Sequence, residues 1–376
     1  MKWKAVIKIS TIFSENPEND LWRELLQFTY EANIKRYLGQ KSLCADASTI
    51  NCIVGAFLQA DAYYESARKA SLQIAPLLLY YGSTNLLYGM VNLLSGSINE
   101  IANHGMNIII PDEMSFIAET KVRFLSPGNG GVHVVARAMG FESDLTGFGD
   151  WKLEEFLDSI AEISADFEQC YDGKTSCISM LDIFNTPDGK VEKIYFTEEN
   201  KKRILLSLEN VNGFTKSYLP LTIGREHNTG KQYFILRHKL TGKDISEISF
   251  SGQPYLRAGH NKNKKLVTVP TILNMYVALF ILASLCRYHP EHWSPFILKD
   301  TTGEKLLVEK FLYYARRMIP NIVLNKIVGK SVQYTSSRYT DINTIKLVGE
   351  HQVQEIVEQK IRERYEREKF MLNNSK

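Results

Sequence analysis

The sequence lacks paired cysteines and the short signatures of common cofactor sites. Its five cysteines, an odd number in a chain of 376 residues, argue against the disulfide framework of a secreted protein. There is no CxxC pair, so a structural zinc site is not expected. Walker loops, Rossmann glycine patterns, GxSxG and HExxH are also missing. We therefore expect no metal site and no cofactor, and find no support for nucleotide-dependent, serine-hydrolase or zincin chemistry.

The N-terminus and the net charge bear on the location of the protein and on its possible partners. The opening segment MKWKAVIKIST lacks the apolar core and the small-residue cleavage site of a signal peptide, which favours a cytoplasmic location. A net charge of +3 is close to balanced, so any surface for nucleic acid has to be a local patch. With 44% apolar and 23% charged residues, the composition is that of a globular protein.

Two long segments contain no charged residue at all. They cover residues 70–99 and 266–286. Their length would permit a membrane span, but the first contains several polar residues and glycines, and the second contains Pro270 and Asn274 in its first half. We therefore predict no membrane span. Instead we expect two helices, near 76–95 and 268–287, that pack together at the centre of a soluble core, since a helix that is apolar all round is one surrounded by other elements.

The remaining patterns predict an α+β fold that is predominantly α-helical, with a β-containing insertion in the middle. Predicted helices begin near Asp20 as N-cap and end near Gly39, follow Asp150 to about residue 171, and cover about 349–370. Short strands are predicted within 106–140 and from about 174 to 262. The expected division is a helical part over 1–105, a mixed insertion over 106–262, and a helical part over 263–376 that packs back on the first.

Four stretches of this sequence resemble the YaaC-like protein family of bacteria, over roughly residues 20–330. They are FLQADAYYESARKASLQIAPLLLYYGSTNLLYG, the NHG of 103–105, RYHPEHW at 287–293, and EKFLYYARRMIPNIVLNKIVG. The family is largely uncharacterised, so the resemblance implies a fold and little chemistry. Some such proteins lie near defence-type genes, which implies a context rather than an activity.

Arg287 and His292 form the one pair in the sequence that is typical of a known reaction. HEPN-type ribonucleases use an arginine and a histidine separated by four to six residues, within a helical body. Histidine titrates near neutral pH and can shuttle the proton of an attacking 2′-hydroxyl, while the arginine fork holds the phosphate. His289, between the two, is a candidate helper. Pro290 also lies inside the pattern, where it would interrupt a continuous helix.

The same residues have a structural explanation. Arg287 would cap the C-terminus of the second charge-free helix, where a cation is favoured, and His292 would seat the next turn. Gly105 would likewise end the first charge-free helix as its C-cap, which leaves His104 a structural role. A basic cluster of Lys262, Lys264 and Lys265, next to Arg257, is the further candidate for binding a nucleic-acid backbone.

The sequence thus leaves two functions open. One is a HEPN-like, nucleic-acid-associated ribonuclease of a defence-type system that cuts RNA without a metal ion. The other is a non-catalytic interaction or scaffold subunit that binds a protein partner or a second copy of itself. A cleft that exposes both Arg287 and His292 would favour the first function, and equal burial of the two side chains would favour the second.

Overall fold

A computed structural model describes residues 10–335 with several gaps. The gaps are 127–129, 142–143, 172–174, 180–181, 187–188, 197, 199–200, 203, 206–221, 226, 228–229, 238–246 and 251–253. The fold is α+β and predominantly helical, as predicted. The helix predicted over 349–370 and the first nine residues lie outside the described part of the chain.

The N-terminal segment forms one strand and four helices. They are β1 (Ser10–Phe13), α1 (Pro17–Leu26), α2 (Glu31–Gln40), α3 (Ala47–Lys69) and α4 (Ala75–Ser95). The helix predicted from Asp20 to Gly39 is wrong in two respects. It starts earlier, because Asn16 is the N-cap, and it is two helices joined by a 3₁₀ turn. The break places Phe28 against the ring of Phe57, with 5.9 Å between the centroids.

Mixed structure follows α4. Its elements are β2 (Met106–Ile109), β3 (Lys121–Phe124), α5 (Gly131–Ala138), β4 (Trp151–Lys152), α6 (Leu153–Leu157) and α7 (Ser164–Tyr171). Strands β2, β3 and β4 form one antiparallel sheet. The single helix predicted after Asp150 is therefore wrong, because Trp151 pairs with Val122 in this sheet. Residues of α5, predicted to be short-stranded, are helical.

Seven strands lie among the described residues in the middle of the chain. They are β5 (Cys177–Ser179), β6 (Asp182–Thr186), β7 (Gly189–Phe196), β8 (Thr222–Arg225), β9 (Gln232–Arg237), β10 (Glu247–Ile248) and β11 (Pro254–Arg257). A four-stranded antiparallel sheet has the order β6-β7-β9-β8, and a three-stranded sheet has the order β10-β11-β5. The predicted sheet in the middle of the chain is thereby confirmed.

Helices return after a short hairpin. The elements are β12 (His260–Lys262), β13 (Lys265–Val267), α8 (Thr271–Tyr288), α9 (Pro290–Lys299), α10 (Glu304–Val328) and β14 (Val332–Thr335). Strand β14 pairs in parallel with β1, so the two ends of the described chain meet in one ladder.

The two charge-free segments are helices that pack against each other, as predicted. Helix α4 lies between α3, α8 and α10. Helix α8 is the one helix of the described residues that is long and apolar enough to cross a membrane, and 78% of its apolar window is buried inside the protein. Burial on this scale is that of a core helix.

The chain divides into two compact units. The first contains Met1–Cys177 and Ala258–Ser336, and the second contains Ile178–Arg257 and Ser337–Lys376. The N- and C-terminal helices therefore fold together. Residues 106–177, assigned from the sequence to the insertion, belong to the first unit, because α5 packs on α4 and α8 and because α6 packs on α8.

Candidate functional site

The break between α8 and α9 decides where the predicted catalytic residues lie. Pro290 has no backbone N–H and disfavours the helical conformation in the residue before it. His289 accordingly leaves the helical region, at φ −131° and ψ 58°, and is both the last cap of α8 and the first cap of α9. The interruption predicted at Pro290 is confirmed. Arg287 lies in the last turn of α8, and His292 lies in the first turn of α9.

Arg287 lines a cavity of about 250 Å³ at this break, which we call the tyrosine cavity. Its polar lining is Tyr80, Tyr81, His104, Asn107, Ser284, Arg287, Tyr288 and His289. Leu77, Met106, Ile108, Phe280 and Ala283 complete it. None of the described residues that line the cavity is acidic. A guanidinium among aromatic and neutral polar groups makes the cavity suited to an anion.

The Arg287 guanidinium is held by two tyrosines of the tyrosine cavity. Its Nη1 donates a hydrogen bond to the hydroxyl of Tyr81. Its Cζ lies 4.9 Å from the centre of the Tyr288 ring and 5.9 Å from that of Tyr81. An arginine that stacks through the flat face of its guanidinium can still donate hydrogen bonds from the N–H groups at its edge. Among the described residues Arg287 forms no ion pair, so its charge is available to a ligand.

His104 faces the same cavity, although it lies 183 positions before Arg287. Its Nδ1 is 2.8 Å from the Tyr80 hydroxyl, and its ring packs on Phe280 with 5.7 Å between the centroids. Partial burial, and then the charge of Arg287, lower the pKa of His104 below its usual value. The ring is therefore neutral near pH 7 and can accept a proton.

Gly105, next to His104, is not the C-cap that the sequence predicts. Helix α4 ends ten residues earlier, at Ser95, and Gly96 caps it with φ +68°. Gly105 has φ +75° and lies so close to Gly130 that an added Cβ would be 3.1 Å from the Cα of that residue. The short loop from α4 to β2 thus sets the position of His104.

His289 is the second histidine of the tyrosine cavity. Its Nδ1 lies 3.0 Å from a carboxylate oxygen of Glu291, and a carboxylate at this distance fixes the orientation of a histidine ring. The rings of His289 and His292 are 6.4 Å apart between centroids.

His292 lines a different cavity, of about 280 Å³, between α9, the turn before β3 and the start of α10. Phe116, Phe296, Lys299, Asp300 and Glu304 are among its other lining residues. The structure thus brings Arg287 together with His104 and His289, and it does not bring Arg287 and His292 into one cavity. Joint catalysis by Arg287 and His292 stays a prediction.

The four residues of the predicted basic cluster differ in their burial and in the groups that they contact. Lys262 is largely buried, with its Nζ 2.6 Å from Glu155, and it lies over the Trp151 ring at 4.6 Å. Lys264 and Lys265 are exposed, in the turn of the β12–β13 hairpin and at the start of β13. Arg257 is buried in the second unit and pairs with Glu247. Contact of the four side chains with nucleic acid stays a prediction.

The comparison with known protein families covers the helices and the cavity described above. A family model described as YaaC-like Protein matches residues 21–327. The chain belongs to the YaaC-like family. The match includes α3, α4, α8 and α10 together with every polar residue of the tyrosine cavity, so the predicted resemblance is confirmed. No curated protein and no solved structure matches the chain significantly. Within the described part of the chain, no group of three or more His, Cys, Asp or Glu residues is arranged to hold a metal ion.

Proposed function

We propose that this YaaC-like protein is a nucleic-acid-associated ribonuclease that cuts RNA in the tyrosine cavity without a metal ion. The observation that carries the proposal is the guanidinium of Arg287, which has no acidic neighbour among the described residues of the cavity lining and shares that lining with His104 and His289. A fixed cation beside two histidines is the set of groups that metal-independent phosphodiester cleavage requires.

The proposed reaction divides the work among these three side chains. Arg287 holds the scissile phosphate through the N–H edge of its fork. His104, neutral near pH 7, accepts the proton of the 2′-hydroxyl as its oxygen attacks phosphorus. The bond from phosphorus to the 5′-oxygen breaks, and a protonated histidine gives its proton to that oxygen. His289 is placed in the cavity for the second role, and His292, which the sequence spacing favours, is the rival for it.

The wider setting of this function is also part of the proposal. Packing of α4 with α3, α8 and α10 supports a HEPN-like helical body. A role in a bacterial defence-type system, a cytoplasmic location and homo-oligomerisation rest on the family resemblance and on the sequence.

The test is cleavage of a labelled single-stranded RNA by the purified chain in excess EDTA. We expect Arg287→Ala to abolish cleavage, and loss of a histidine that transfers the proton to lower the rate by about 10²–10⁴-fold. His104→Ala, His289→Ala and His292→Ala together identify which histidines act. His227→Ala, an exposed histidine of the β8–β9 loop, is the matched control and should cleave like the wild type. Undiminished cleavage by Arg287→Ala, or no cleavage by the wild type, would refute the proposal.

The alternative, a non-catalytic interaction subunit, is supported by two exposed leucines on consecutive helices. Leu298 at the end of α9 is 78% exposed, and Leu306 at the start of α10 is 69% exposed. Large exposed apolar side chains are common where a partner binds. If this function holds, the double variant Leu298→Glu with Leu306→Glu dissociates an oligomer or complex in light scattering. The alanine variants of Arg287, His104, His289 and His292 leave the assembly intact.

A further inference from the structure

Tyr288 differs from the other two tyrosines of the tyrosine cavity in how much of its ring is free. The Tyr80 ring is buried and stacks on Tyr276, with 5.5 Å between centroids and 25° between planes. The Tyr81 ring stacks on Tyr63 at 6.0 Å and 28°. Tyr288 is 62% exposed, and among the described residues the Arg287 guanidinium lies over its ring, with Cζ 4.9 Å from the centroid.

We infer that the tyrosine cavity takes one unpaired nucleotide, whose base stacks on Tyr288 while its phosphate meets Arg287. The ligand class is therefore single-stranded nucleic acid and not duplex. The inference rests on the proposed function and specifies its substrate. An exposed tyrosine next to an available arginine is a pairing that binds single strands, because every base has a face to stack and every nucleotide brings a phosphate.

The size of the cavity supports the same ligand. Its volume, about 250 Å³, is below the range of roughly 300–1,000 Å³ in which proteins bind drug-sized ligands and cofactors. A space of this size excludes a dinucleotide cofactor and suits the phosphate and sugar of one nucleotide, with the base on the exposed ring of Tyr288. In a duplex the base faces are covered by neighbouring bases, so a base that stacks on Tyr288 has to be unpaired or extruded.

The neighbouring polar groups suit a base edge. Asn107, on β2, is exposed and lines the cavity, and Ser284, a buried residue of α8, lines it as well. An amide and a hydroxyl offer both donors and acceptors to the edge of an unpaired base. These groups do not select one base by charge, so we expect binding that depends weakly on sequence.

The experiment measures binding without cleavage. The probe is a short fluorescent 2′-O-methyl RNA, which lacks the attacking hydroxyl and stays intact. Fluorescence anisotropy compares the single strand with the same strand annealed to its complement. We expect the single strand to bind at least about tenfold more tightly, and Tyr288→Ala to weaken its binding by about 5- to 150-fold, the loss that corresponds to one stacked base.

Two further variants separate stacking from a general disturbance. Tyr288→Trp retains a flat ring and should bind like the wild type. Tyr30→Ala removes a tyrosine that is equally exposed, at 62%, on the turn before α2, and should leave binding unchanged. Thermal melts of all variants verify that each remains folded.

The possible results keep this inference apart from the proposed function. Equal binding of duplex and single strand, no binding of the single strand, or unchanged binding by Tyr288→Ala would each overturn the inference. Cleavage of unmodified RNA that depends on Arg287 would then still support the ribonuclease. Selective single-strand binding that requires Tyr288, without any cleavage, would support the inference and remove the ribonuclease.

Discussion

Glu304, the first residue of α10, is a buried carboxylic acid that ties three elements together. Its Oε2 accepts a hydrogen bond from the backbone N–H of Ile117 at 2.9 Å, and its Oε1 accepts from the N–H of Ala118 and the hydroxyl of Tyr171, both at 2.8 Å. Burial raises the pKa of Glu304 from 4.5 to about 7, against the opposing effect of these hydrogen bonds, and Asp300 adds to the rise.

The raised pKa makes stability depend on pH in a definite direction. Between pH 4.5 and 7 the folded state binds more protons at Glu304 than the unfolded state does. The contribution of Glu304 to the free energy of unfolding is therefore complete below pH 4.5 and is lost as the pH rises through 7. A pKa raised from 4.5 to about 7 corresponds to about 3 kcal/mol, because each pKa unit is worth about 1.4 kcal/mol.

Glu304→Gln separates the charge of this side chain from its shape. The protonated carboxyl still has two oxygens that can accept a hydrogen bond, whereas glutamine has one, so the variant leaves one buried backbone N–H without its acceptor, at a cost of about 1–3 kcal/mol. At pH 5 we expect the variant to be less stable than the wild type by that amount. At pH 8.5 the wild type has lost about 3 kcal/mol of unfolding free energy that the variant never had. The difference in unfolding free energy between the two proteins should therefore narrow by about 3 kcal/mol and reach zero or change sign.

The assay is urea unfolding at pH 5, 7 and 8.5, followed by tryptophan fluorescence. Trp22, Trp151 and Trp293, the tryptophans among the described residues, lie within the first unit, so their signal reports on the unit that contains Glu304. Glu309→Gln, an exposed glutamate on the same helix, is the matched control and should follow the wild type at each pH. Parallel pH curves for Glu304→Gln and the wild type would show that the carboxyl titrates normally, and would refute the reasoning.

Three further predictions concern the hairpin, the cavity and a helix end. Lys262→Met removes an ion pair and a stacked cation and should cost about 1–3 kcal/mol in urea unfolding, whereas the same change at an exposed lysine of that hairpin should cost nothing measurable. Tyr80→Phe removes the hydroxyl that holds Nδ1 of His104, so ¹⁵N NMR should show a mixture of ring tautomers and RNA cleavage should slow; an unchanged spectrum would contradict the contact. Gly96→Ala should cost more than Gly329→Ala in thermal unfolding. Both glycines end a helix at positive φ, but only at Gly96 would the new Cβ lie 2.9 Å from a backbone oxygen, so equal losses would contradict the packing.

The sequence predicted the long core helices because only one kind of structure suits them. Two charge-free segments that are interrupted by polar residues, glycines or a proline are expected to be surrounded by protein rather than lipid, and α4 and α8 pack together accordingly. The break between α1 and α2 could not be predicted in the same way, since no glycine or proline marks it. It depends on Phe28, whose ring meets Tyr37 at 5.6 Å and Phe57 at 5.9 Å only once α3 is in place.

The same distinction separates the parts of the candidate site. Arg287 and His289 stand next to Pro290, and local rules for helix ends predict a break there. His104 carries no such signal, because its place beside Arg287 is set by the loop from α4 to β2 and by Phe280 on the facing helix. Spacing along the chain paired Arg287 with His292, whereas the turn at His289 directs the two side chains to different cavities.

The absence of charged residues from the two core segments also explains why the Arg287 guanidinium has no ion pair among the described residues. An arginine at the end of a surface helix usually finds a carboxylate one turn away or on its neighbour. Here neither residues 70–99 nor residues 266–286 offer one, so the groups that α4 and α8 present to Arg287 are tyrosine hydroxyls and aromatic rings. Hydroxyls and ring faces hold a guanidinium in place without neutralising it. The lack of charge that makes α4 and α8 a core thus leaves a cation without an ion pair among the described residues where α8 reaches the surface, and an anion is the ligand that its charge favours.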